Sequence, residues 1–74
     1  MIQRRGEKNM WIVVYLAQSM AIATEVERIL SEGSLLVKLR AVEGSLDAPE
    51  GYVEVTVPEN ESEQAHRLII ESGL

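Results

Sequence analysis

LLVKLRAVEGSLDAPEGYVEVTV, residues 35–57, decides the fold. Its first part alternates, with Leu35, Val37, Leu39 and Ala41 on one side and Leu36, Lys38, Arg40 and Val42 on the other. Its last part alternates again, with Val53, Val55 and Val57 against Tyr52, Glu54 and Thr56. A period of two is what a strand with one buried face requires. The charged residues fall on one side of each run, so the aliphatic sides must face a core. Between the runs, residues 43–50 (EGSLDAPE) are polar and contain Gly and Pro, the composition of a hairpin loop. Pro58 then ends the second run, because it has no N–H to give to a ladder.

Outward from this hairpin the pattern changes. Residues 10–16 (MWIVVYL) form a near-continuous β-prone run. Ile12, Val14 and Leu16 alternate there with Trp11, Val13 and Tyr15. Both sets are apolar, so the pattern leaves the parity open; we assign the purely aliphatic set to the core. Ser19 is a suitable N-cap for a helix. Ile22, Ala23, Val26, Ile29 and Leu30 form its apolar stripe, with Glu25, Glu27, Arg28 and Glu32 outside it. Gly33 is the expected C′ glycine, free to take a positive φ. After the hairpin, Asn60-Glu61-Ser62-Glu63 reads as an N-cap with an acidic N3 residue, and Ala65, Leu68 and Ile69 supply a second buried stripe.

The order is therefore strand, helix, strand, strand, helix. Placing the third strand between the other two predicts an α/β (α+β) fold of ferredoxin-like β-α-β-β-α type. It has a three-stranded antiparallel sheet, two helices on one face, and no strand where the pattern would add a last one.

Composition narrows the function classes. Seventy-four residues make one domain, and a domain this small buries only about 60% of its unfolded surface. With no Cys and one His, disulfides and Cys-type zinc sites are excluded, which leaves a partner chain as the usual remaining support. The lack of Cys also fits a cytoplasmic protein. The net charge of −5 opposes binding to nucleic acid and to anionic membranes.

Residues 1–9 are polar and carry no apolar period. Arg4, Arg5 and Lys8 before an apolar run, with Ala21-Ile22-Ala23 beyond it, imitate a secretory signal. The helical stripe runs through that supposed cleavage site, and the apolar run is shorter than the roughly 20 residues of a membrane span. We expect residues 1–9 to be an extension, disordered or not native, with Met10 as the natural start and residues 10–74 as a single domain. Arg4-Arg5-Gly6-Glu7-Lys8 is also what a purine-rich ribosome-binding sequence gives when read in frame. Without the extension, which holds three basic residues and one acidic one, the charge moves from −5 to −7.

VVYLA at the end of the first strand, EVERILSEG in the helix, LLVKLR, and YVEVTVPENESEQAHRLI together carry a resemblance. They resemble small prokaryotic domains described as signal-transducing by their likeness to nitrogen-regulatory PII folds, in particular the short, acidic Firmicutes-type members. The likeness runs from Met10 to about Ser72. Gln18 departs from it, standing where the family's turn has proline. The resemblance implies a ferredoxin-like, PII-like fold and a regulatory role in signal transduction, and it carries no catalytic residues across. Some short relatives bear the name glutamate decarboxylase. That chemistry needs a lysine-bound pyridoxal phosphate in a large phosphate-binding fold. Lys38, the one lysine in residues 10–74, points outward from a strand with no glycine-rich cradle beside it.

The sheet face opposite the helices is the candidate site. Trp11, Val13, Tyr15, Leu36, Lys38, Arg40, Tyr52 and Glu54 are expected to line it. Exposed apolar patches mark contacts, so the first expectation is a non-enzymatic interaction or regulatory module. It would bind a second copy, making a homo-oligomer, or a different protein partner, through this face or through the uncharged edge of the first strand. The alternative is a sensor of a small anionic metabolite, held by Lys38 and Arg40. His66 has no nucleophile or orienting group suggested nearby. Glu59, Glu61 and Glu63 straddle a helix start and diverge, which suits a solvated cap. No catalytic, metal or cofactor-binding motif is present, and we expect no enzyme activity.

Overall fold

The computed structural model describes residues 10–44 and 51–74. The extension at 1–9 and most of the hairpin connector lie outside the described residues. The elements are β1 (Trp11–Ala17), α1 (Met20–Glu32), β2 (Lys38–Val42), β3 (Tyr52–Pro58), a 3-10 turn (Glu59–Glu61) and α2 (Ser62–Ser72). The sheet is three-stranded and antiparallel in the order β1-β3-β2, so β1 and β2 are its edges. Both helices lie on one face. Ala23, Val26 and Leu30 of α1, and Ala65 and Ile69 of α2, share a core with Val53, Val55 and Val57 of the central strand. The expected α+β arrangement is the observed one. Among the described residues, no helix is long and apolar enough to cross a membrane.

α1 begins as its sequence dictates, with the Ser19 Oγ accepting the Ile22 N–H at 3.2 Å. On its outer side, the Arg28 guanidinium donates to the Glu25 and Glu32 carboxylates. The hydrogen bond and charge of Glu25, followed by those of Glu32, hold the Arg28 pKa above its ordinary value. All three side chains are about half exposed or more, so these pairs add little stability.

The end of α1 differs from expectation. Gly33 has φ −86°, and the left-handed residue is Ser34, at φ 69°. The Ser34 N–H donates to Ser31 O and the Leu35 N–H to Leu30 O, at 2.9 and 3.1 Å. This pair of bonds defines a Schellman motif with Ser34 at C′, and the buried Leu35 packs beside the buried Leu30 as that motif favours. Because Leu35 closes the helix, β2 starts only at Lys38, not at 35. Gly33 also faces α2: a Cβ there would stand 2.6 Å from Leu68 Cδ1, the end of a flexible side chain that would have to shift.

α2 also starts differently. The capping box around Asn60 does not form, because the chain first makes the 3-10 turn Glu59–Glu61. The Glu59 N–H donates to Met10 O at 2.9 Å, tying that turn to the start of β1. The Glu61 carboxylate instead accepts the Leu36 N–H at 3.0 Å, fastening the α1–β2 link to the helix start. Gly51, before β3, has φ +83°, and a Cβ there would lie 2.4 Å from Val42 O.

Two substitutions follow from these backbone positions. Gly51→Ala should lose about 1–3 kcal/mol, from both its backbone conformation and its clash. Ser34→Gly should gain about 1 kcal/mol by relieving a left-handed residue that bears a Cβ. Urea unfolding with an unchanged slope would register both; a Ser34→Gly variant less stable than the parent would contradict the Schellman assignment.

Candidate functional site

One irregularity decides which residues reach the open face. β1 pairs with β3 as Trp11↔Pro58, Ile12↔Val57 and Val13↔Thr56, then as Tyr15↔Val55, Leu16↔Glu54 and Ala17↔Val53. Val14 is the extra residue of a β-bulge. A bulge moves every later side chain to the opposite face. Directly opposed residues share a face, so Ile12, Tyr15 and Ala17 lie on the side of the core valines, where Val14 and Tyr15 pack against the core. Trp11, Val13 and Leu16 stand on the open side.

This corrects two expectations. Tyr15 is not on the open face: it is half-buried and packs against the core. Leu16 is not in the core: it is 57% exposed, opposite Glu54 on the uncovered face. The question of which side of residues 10–16 is buried has a divided answer, one parity before Val14 and the other after it. No signal in MWIVVYL could have shown this, since a bulge is legible only where apolar and polar positions contrast.

The other expected residues fall into three groups. Lys38, Arg40, Tyr52 and Glu54 take the open face with Val42 and Thr56, in the pairs Lys38↔Thr56, Arg40↔Glu54 and Val42↔Tyr52. Trp11 and Val13 flank them across β3. Leu36 precedes β2 and is unpaired in the sheet; its side chain is exposed and its N–H is held by Glu61.

The face is divided in its chemistry. The Lys38 Nζ reaches across the central strand and sits over the Trp11 ring, 4.2 Å from its centroid, a cation–π contact. Beneath that bridge, Thr56 is only 9% exposed, although no helix covers this side. Its Oγ1 donates to Lys38 O at 3.1 Å, which satisfies the covered hydroxyl. Beyond it, the Arg40 guanidinium approaches the Glu54 carboxylate at 3.8 Å, with Arg40 77% and Glu54 19% exposed. The β2 side is thus charged and internally paired. The β1 side is apolar, with Val13 41% exposed and Leu16 open beside it.

His66 is exposed on α2, as are Glu59 and Glu63, while Glu61 is engaged by Leu36. Among the described residues, no three His, Cys, Asp or Glu side chains are grouped as a metal site would need.

Among the described residues, the molecule is a small two-layer α+β domain whose helices leave one two-sided sheet face uncovered. No protein-family model, curated protein or solved structure matches the chain.

Truncations at the bulge test the assignment of faces. Tyr15→Ala should destabilise the domain by about 2–3 kcal/mol, as loss of a packed aromatic does. Leu16→Ala should stay within about 0.5 kcal/mol when measured at low protein concentration. The reverse order would restore the unbulged alternation.

Proposed function

We propose that this domain is a non-enzymatic interaction or regulatory module that associates with further copies of itself through the open sheet face. One observation carries the reading. Val13 and Leu16 stand exposed side by side on the face that the helices leave uncovered, and such patches mark association surfaces. The resemblance of VVYLA, EVERILSEG and the C-terminal third to PII-like regulatory domains supports a role in signal transduction. A cytoplasmic homo-oligomer without nucleic-acid or membrane partners accords with the acidic, cysteine-free composition.

The edge of β1 is the weaker route to the same end. The bulge at Val14 interrupts the regular row of backbone groups that strand addition needs. A sensor of small anions is the second reading, supported by the exposure of Arg40 and its long 3.8 Å approach to Glu54. Lys38, however, is directed to Trp11.

Light scattering of the full chain over a wide concentration range tests the proposal. We expect a dimer or larger form, and expect Leu16→Lys to weaken it by about 2 kcal/mol or more if Leu16 is a hot spot. Lys38→Glu with Arg40→Glu should abolish any anion binding while leaving an apolar interface. A monomer at every concentration would overturn self-association and leave the anion reading to be tested by titration.

A further inference from the structure

We draw no further inference here: the strongest candidate, the apolar patch of Val13 and Leu16 on the β1 half of the open sheet face, belongs to the site already described, and nothing in the structure shows what covers it.

Discussion

The structure depends on burying one strand from both sides. Val53, Val55 and Val57 turn one face of β3 into the floor of the helical core, with Val55 and Val57 fully enclosed. Thr56, on the other face, is almost as well covered, by Lys38 and Val13 on its two flanks. Among the described residues, β1 and β2 each pair with β3, and both helices pack against its valines. In a domain too small for a deep core, such a central strand concentrates what apolar burial there is. A polar group is admitted to it only because the Thr56 hydroxyl has the Lys38 carbonyl to bond.

Much of this was legible in the sequence, and the reason is contrast. In residues 52–57 every second residue is valine and the others are not, so the face of β3 could be assigned from spacing alone. In the α1 stripe Ala23, Val26 and Leu30 are enclosed as expected, while Ile22, expected beside them, is 39% exposed. Legibility failed where contrast vanished. Every residue from Met10 to Leu16 is apolar or aromatic, so the bulge at Val14 left no mark, and Tyr15 and Leu16 exchanged the sides expected of them. At the end of α1 the left-handed residue stands one position beyond the expected glycine, and at the start of α2 the expected capping box does not form. The Schellman turn takes Ser34 for its left-handed residue, while Gly33 lies against the Leu68 side chain of α2, a tertiary contact that no local pattern expresses.

The candidate site was legible in outline only. That cations and aromatics would share the open face followed from strand parity. That Lys38 would reach across β3 to Trp11, and Arg40 toward Glu54, depends on distances between three strands. Those contacts change the meaning of the residues. Two cations that look available to an anion in the sequence each have a partner in the fold, and the unoccupied chemistry shifts to the aliphatic side chains of β1. The face is a charged, self-satisfied half beside an apolar, unsatisfied one.

The bridge from Lys38 to Trp11 has an optical consequence. Trp11 is the only tryptophan in the chain, so the protein's indole emission originates wholly at this face. The ammonium above the ring alters the field felt by the excited indole, and any molecule that covers the sheet changes the water around it. Events at the helices lie on the far side of the sheet. The fold therefore carries a native, label-free probe placed where the sheet is bare.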